Sequence, residues 1–135
     1  MTGRTRPRVL LLWELGANYG HVAKLARVAR AIGGRAEVVV AARDPVGFRR
    51  FAALPEAAVL AAPFAHRVAA PRADDLGRSY PDDLRHCGWG DPDTLAALLA
   101  SWRSLFDLAA PDAIVAQAAP TGLLAARGGR WRTAL

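Results

Sequence analysis

The sequence predicts an open, parallel α/β sheet flanked by helices. Short, continuous apolar runs alternate along the chain with segments whose apolar residues recur every three or four positions. The length of 135 residues is enough for one ordinary domain and too small for two. With 53% hydrophobic and 22% charged residues, the chain can bury a core and does not have the composition of a disordered protein.

The first three elements have the clearest boundaries. Residues 9–13 form a continuous apolar run, as expected of a strand that is covered on both faces. A turn containing glycine follows over residues 15–20, and apolar residues at helical spacing begin at His21. Gly33 ends this helix, because glycine adopts the left-handed C-terminal conformation at little cost. Residues 37–42 predict a second buried strand.

The next segment contains a short helix, a weak strand and a long irregular stretch. Asp44 and Pro45 are typical of an N-cap and a first helical position, and the helix should end near Leu54. Residues 57–62 predict a third strand. Residues 63–90 contain three prolines and three glycines without sustained periodicity, and such segments are usually functional or disordered.

The remaining elements complete the alternation. A helix begins at Asp91-Pro92 and ends before Pro111, and residues 113–116 and 120–126 predict a fourth strand and a further helix. One face of the long helix carries an apolar stripe of Leu95, Leu98, Leu99, Trp102, Leu105, Phe106 and Ala109. The pattern is that of a Rossmann-like parallel sheet with right-handed crossovers and the strand order 3-2-1-4.

The C-terminal residues do not continue this pattern. A helix over residues 120–126 should lead to a fifth strand, but residues 127–132 have no strand character. We therefore expect residues 128–135 to be an atypical tail and the sheet to be incomplete at its C-terminal end, either because the chain stops within a domain or because the reading frame has shifted. An incomplete sheet exposes an unpaired edge, which favours self-association.

The net charge of +6 does not predict a nucleic-acid partner. Three arginines lie near each end of the chain, and without these six the basic and acidic residues balance at twelve each. A nucleic-acid module usually concentrates its charge on one face. Cys87 is the only cysteine, which excludes an internal disulfide, and no apolar run approaches the roughly 18–20 residues of a membrane span. A cytoplasmic location is therefore expected.

The sequence contains no cofactor or metal motif. Gly16 and Gly20 suggest a dinucleotide fingerprint, but Asn18 occupies the position of its second glycine, so a nicotinamide cofactor is not expected. The histidines and Cys87 lack the spacing of a metal site, apart from the adjacent pair His86-Cys87.

The predicted topology instead brings two loops together. Ligands of open parallel sheets bind beyond the carboxyl ends of the strands, where the strand order reverses. In the order 3-2-1-4 this point lies between the first and fourth strands, which places His21 near Gln117 and Thr121. A helix N-terminus disfavours the imidazolium, and a neutral imidazole is suited to act as a general base toward an alcohol. The alternative is a histidine that merely packs at the start of the helix.

Several stretches resemble GT-B glycosyltransferases of the UDP-glycosyltransferase superfamily. The strand, glycine loop and Gly-His pair over residues 9–21 are similar to the start of that family. The similarity extends over about residues 8–128 and recurs in residues 91–95, Trp102, Phe106, Pro111-Asp112 and residues 120–128. It implies a Rossmann-like N-terminal domain that binds the acceptor and faces a donor-binding domain across a cleft.

The resemblance also implies roles for individual residues. His21 would be the catalytic base, taking the acceptor hydroxyl proton while that oxygen attacks the anomeric carbon of a nucleotide sugar, with inversion and without a metal. The family commonly orients this histidine with a carboxylate after the fourth strand, where this chain has the uncharged amide of Gln117, and Glu14 is a candidate substitute. The residues expected to contact the acceptor are Gly20, Glu14, His66 and Thr121.

The implied function is the transfer of a hexose from a nucleotide sugar to a small hydroxylated acceptor. The chain would be the N-terminal fragment of such an enzyme and inactive alone, because the nucleotide sugar, a co-substrate rather than a cofactor, is bound mainly by the donor domain. Two alternatives remain open. The chain could be an acceptor subunit that works with a donor-domain partner chain, or a non-catalytic α/β module that binds a small molecule or nucleotide.

Overall fold

In a computed structural model, which describes residues 3–65 and 79–135, the chain forms a five-stranded parallel sheet with the order β3-β2-β1-β4-β5. The strands are β1 (Arg8–Trp13), β2 (Glu37–Ala42), β3 (Ala58–Ala61), β4 (Ala113–Ala116) and β5 (Arg132–Ala134). The helices are α1 (Gly20–Ile32), α2 (Pro45–Ala52), α3 (Tyr80–Leu84), α4 (Pro92–Ala109) and α5 (Pro120–Ala126). The predicted fold class is confirmed.

The central strand β1 explains why the apolar run of residues 9–13 is continuous. It pairs in parallel with β2 on one side and β4 on the other. Leu10 and Leu12 point into a core covered by α4 and α5, whereas Leu11 and Trp13 point into a second core covered by α1 and α2. Because both faces of the sheet are covered, the side chains of residues 9–13 gain from being apolar on either face.

Helices α2 and α4 begin where the sequence places their caps. The Asp44 side chain accepts a hydrogen bond from the Gly47 amide at 2.8 Å, and the Asp91 side chain accepts one from the Thr94 amide at 3.1 Å. Each aspartate is followed by a proline in the first turn, whose missing N–H costs nothing there. These caps fix where α2 and α4 start on opposite faces of the sheet.

Part of the segment predicted to be irregular is helical, and there the prediction was wrong. Residues 80–84 form α3, and residues 85–89 form a π-helical turn in which Cys87 and Gly88 depart from helical backbone angles. The Ser79 side chain caps α3 by accepting a hydrogen bond from the Asp82 amide at 3.4 Å. A five-residue helix is too short to show an apolar period, which is why the sequence pattern does not reveal it.

The strand order 3-2-1-4 is confirmed, but it is extended by a fifth strand inside the expected tail. Arg132–Ala134 pairs in parallel with β4, and all three residues are exposed. Trp131 leads into this strand and packs edge-on against Phe106, with ring centroids 5.0 Å apart. A short, exposed edge strand carries no apolar run, so its sequence resembles a loop. None of the helices in the described ranges is long and apolar enough to cross a bilayer.

Candidate functional site

The strand order reverses between β1 and β4, and the loops that leave these two strands lie together. α1 follows β1 onto one face of the sheet, and α5 follows β4 onto the other. The amides of Glu14 and Leu15 both donate to the Ala118 carbonyl, at 3.2 and 2.8 Å, and the Gln117 amide donates to the Leu12 carbonyl at 2.9 Å. We refer to residues 14–21 and 117–121 as the β1/β4 edge.

At this edge the structure brings His21 and Gln117 into contact. His21 lies in the first turn of α1, and Gln117 directly follows β4. The side-chain amide nitrogen of Gln117 lies 3.1 Å from Nδ1 of His21. The pairing that the topology predicts between these two side chains is present.

The orientation of the Gln117 amide decides what the histidine can do. An amide nitrogen donates, so in this orientation Nδ1 of His21 accepts and the neutral ring carries its proton on Nε2. If the amide is turned over, its oxygen accepts from Nδ1–H and Nε2 keeps a free electron pair. Because the amide nitrogen and oxygen are similar in size, both orientations fit the same space. Only the second presents a base at Nε2.

His21 is held neutral by its surroundings. Partial burial lowers the pKa of His21, and the positive charges of Lys24 and Arg43 lower it further. Its usual value of 6.5 already leaves the ring mostly neutral at pH 7, so these effects secure the unprotonated form.

The other end of the ring faces glycine backbone. Gly16 has a φ of +81°, and a Cβ atom at this position would lie 2.6 Å from Nε2 of His21. Trp13 packs near the ring, with centroids 6.2 Å apart. Glycine is therefore required at position 16 both for the backbone conformation and for the close approach of the ring.

Glu14 and Thr121 lie beneath the surface. Glu14 is 1% exposed and Thr121 is 2% exposed. One carboxyl oxygen of Glu14 accepts from the amides of Thr121 and Gly122, the latter at 3.3 Å, and the other accepts from the Trp102 indole N–H at 3.3 Å. Burial raises the pKa of Glu14 to about 7, despite the opposing effect of these donors. With both oxygens bonded inside the protein, the predicted acceptor contact by Glu14 and Thr121 gains no support from the geometry.

The remaining predicted site residues fall in different places. Gly20 is exposed at the first residue of α1, where its amide donates to the Asn18 side chain at 2.7 Å. His66 lies outside the described residues, so its predicted acceptor contact has no structural counterpart here. Within the described hydrogen bonds, none joins Glu14 to His21, and Gln117 holds the histidine.

Two tryptophans contact residues of the β1/β4 edge, although the sequence analysis assigned them no role in the site. Trp102 bonds Glu14, and Trp89 donates to the Thr121 hydroxyl at 3.0 Å from the π-helical turn. The turn and α3 thereby close over the start of α5. The signal that could have revealed this arrangement is Glu14 itself, because a carboxylate directly after a buried strand needs buried donors.

Two observations concern candidate metal ligands and cavities away from the β1/β4 edge. No group of three or more His, Cys, Asp and Glu side chains among residues 3–65 and 79–135 could hold a metal ion. A surface cavity of about 430 Å³ lies at the other end of the strands, near the start of β2. Its lining includes Arg6, Arg30 and Glu37. None of the predicted site residues that the structure describes lines it.

Comparison with models of protein families and with curated proteins identifies no matching family or relative. The glycosyltransferase resemblance therefore depends on the motifs of this sequence alone, and the site has to be argued from its own geometry.

Proposed function

We propose that this chain is the acceptor-side domain of a glycosyltransferase, in which His21 removes the proton from an acceptor hydroxyl. The observation that carries the proposal is the contact at the β1/β4 edge, where Nδ1 of His21 lies 3.1 Å from the Gln117 side-chain amide, in surroundings that lower the pKa of His21. A general base near neutral pH needs an unprotonated, oriented ring. The position also fits, because open parallel sheets bind ligands where the strand order reverses.

In the proposed reaction the chain supplies one chemical group. With the Gln117 amide oxygen accepting from Nδ1–H, Nε2 of His21 takes the hydroxyl proton as the acceptor oxygen forms its bond to the anomeric carbon. The bond from that carbon to the nucleotide diphosphate breaks, and the diphosphate leaves with the electron pair. Donor binding falls mainly to a second domain or chain, so the 135-residue chain should not transfer sugar alone.

One observation favours a second candidate, a non-catalytic module that binds a small molecule or nucleotide. Gln117 carries no charge, so an imidazolium at His21 lacks the stabilisation that a carboxylate would give. Loss of the carboxylate from comparable triads costs about 10⁴ in rate. A domain that only binds a ligand would not need that charge.

A binding experiment separates the acceptor-side domain from a module that binds a nucleotide. The isotope-labelled chain is titrated with a panel of phenols and aliphatic alcohols and, separately, with UDP-glucose and UDP, while NMR follows residues of the β1/β4 edge. The proposal expects alcohols to shift resonances of this edge and the nucleotides to bind far more weakly. His21→Ala should keep alcohol binding within about threefold, because the base acts on the reacting hydroxyl and not on ground-state binding.

The opposite result selects the module. Tight binding of UDP that is unaffected by His21→Ala, with no response to any alcohol, would overturn the glycosyltransferase proposal. Transfer of sugar from UDP-glucose by the chain alone would contradict the division into acceptor and donor parts.

A further inference from the structure

Glu14 performs for α5 the task that an N-cap residue normally performs. Ala119 occupies the N-cap position and has no side-chain group to accept a hydrogen bond. The amides of Thr121 and Gly122 instead donate to the Glu14 carboxyl, more than 100 residues away in sequence. The first N–H groups of a helix need such an acceptor when they are buried. Glu14 therefore ties the end of β1 to the start of α5.

The same contacts clamp the turn that carries Gln117. Ala118 has a φ of +49°, an unfavourable conformation for a residue with a Cβ atom. Its carbonyl accepts hydrogen bonds from the backbone amides of Glu14 and Leu15. The backbone amide of Gln117 donates to the Leu12 carbonyl. The strained turn is thus held on one side by the backbone of β1 and on the other by the Glu14 carboxyl. The side chain that contacts His21 leaves from this turn.

We propose that Glu14 is a positioning residue whose ionisation sets the geometry of the His21–Gln117 pair. The ionised carboxylate accepts three hydrogen bonds and holds the turn. Uptake of a proton from solvent, at the oxygen that faces the Trp102 indole, turns that oxygen from an acceptor into a donor. The indole N–H of Trp102 then faces another donor, the O–H of the protonated carboxyl. The start of α5 relaxes as a result, and the side-chain amide of Gln117 moves relative to His21.

The charge environment places this transition near neutral pH. Burial raises the pKa of Glu14 to about 7, and no described cation forms an ion pair with it. α3 presents Tyr80, which is electrostatically coupled to Glu14, while α4 and α5 present the neutral donors Trp102 and Thr121. From α1, partial burial and the positive charges of Lys24 and Arg43 lower the pKa of His21. The pKa values of Glu14 and His21 are thus shifted in opposite directions, that of Glu14 upward and that of His21 downward.

The experiment follows three groups of the 135-residue chain by NMR between pH 5 and 8.5. These are the Glu14 carboxyl carbon, the Gln117 side-chain amide and the ring nitrogens of His21. We expect the Gln117 and His21 signals to show an inflection near pH 7 that coincides with the Glu14 titration, in addition to the lower titration of His21 itself.

Two variants sharpen the test. Glu14→Gln should remove the inflection near pH 7 and leave a single His21 titration. Glu56→Gln, the same chemical change at an exposed site before β3, should leave both inflections unchanged. Trp102→Phe removes one donor to the carboxylate, so it should move the shared inflection to higher pH.

The proposal is overturned if Glu14 titrates in the native chain while the Gln117 and His21 signals do not respond. It is equally overturned if Glu14→Gln and Glu56→Gln give the same profiles. If Glu14→Gln does not fold, the titration of the native chain still decides the outcome. None of these readouts depends on glycosyl transfer, so the proposal stands or falls separately from the proposed function.

Discussion

Replacing Glu14 by glutamine should change how the stability of the fold depends on pH. In the folded chain burial raises the pKa of Glu14 from 4.5 to about 7. The native state therefore holds this proton more tightly than the unfolded state between these two values. The contribution of Glu14 to the free energy of unfolding should therefore be highest below pH 4.5. It should fall as the pH rises to 7 and level off above that value.

The size of this effect follows from the shift. One pKa unit is worth about 1.4 kcal/mol, so the rise in the pKa of Glu14 corresponds to about 3 kcal/mol lost between pH 4.5 and pH 7. The value needs little reduction for solvent screening because the side chain is 1% exposed. Glu14→Gln removes this slope. Its amide group presents a donor to the Trp102 indole at every pH, whereas the native carboxyl does so only when it is protonated.

Urea unfolding followed by tryptophan fluorescence measures both effects, since Trp13 and Trp102 are buried. The difference in unfolding free energy between the native chain and Glu14→Gln should shrink by about 3 kcal/mol from pH 4.5 to pH 7. The unfolding free energy of Glu56→Gln, plotted against pH, should run parallel to that of the native chain from pH 4.5 to pH 7. Parallel curves for Glu14→Gln, or a difference that grows with pH, would refute the assignment of a raised pKa to this carboxyl.

Three further substitutions test separate parts of the structure. Gly16→Ala and Gly128→Ala both place a Cβ at a φ near +80°, so each should lose about 1 kcal/mol of stability. NMR should show a displaced His21 ring for Gly16→Ala alone, and equal spectra at His21 would contradict the close contact. Gln117→Glu should raise the pKa of His21 by about 1–3 units, since it places a carboxylate where the amide now contacts the ring and a nearby carboxylate favours the imidazolium. An unchanged titration would mean that the two side chains do not meet in solution. Trp131→Phe removes a buried indole N–H that has no hydrogen-bond partner within residues 3–65 and 79–135, so the unfolding free energy should stay equal or rise by up to about 1 kcal/mol. A loss of more than about 1 kcal/mol in urea unfolding would contradict this prediction.

The central part of the fold could be predicted because its local patterns and its tertiary environment agree. β1, β2, β3 and β4 begin and end within one residue of their predicted positions. These strands lie between two helical layers, so burial imposes continuous apolar runs on the innermost of them. The aspartate and proline pairs before α2 and α4 are equally local signals. Where an element is short or exposed, as in α3 and β5, no such pattern exists and the prediction fails.

The part of the site that could be predicted is the part whose position follows from the strand order alone. His21 and Gln117 follow neighbouring strands, so the strand order brings them together without any knowledge of side-chain packing. The role of Glu14 could not be derived in this way. Its partners on α4 and α5 lie 88 to 108 residues along the chain, and the choice between a surface ligand and a buried cap depends on packing that no local pattern encodes.

The charges around His21 limit how a base at this position can work. A proton on its ring creates a positive charge near Lys24 and Arg43, and Gln117 offers an amide dipole rather than a negative charge. The buried Glu14 carboxyl is bonded to α4 and α5, and no described hydrogen bond connects it to the ring. An uncharged alcohol alone does not change this balance. Under the proposed function the departing nucleotide diphosphate would supply the missing negative charge, so proton transfer to His21 should depend on the donor being present in the same complex.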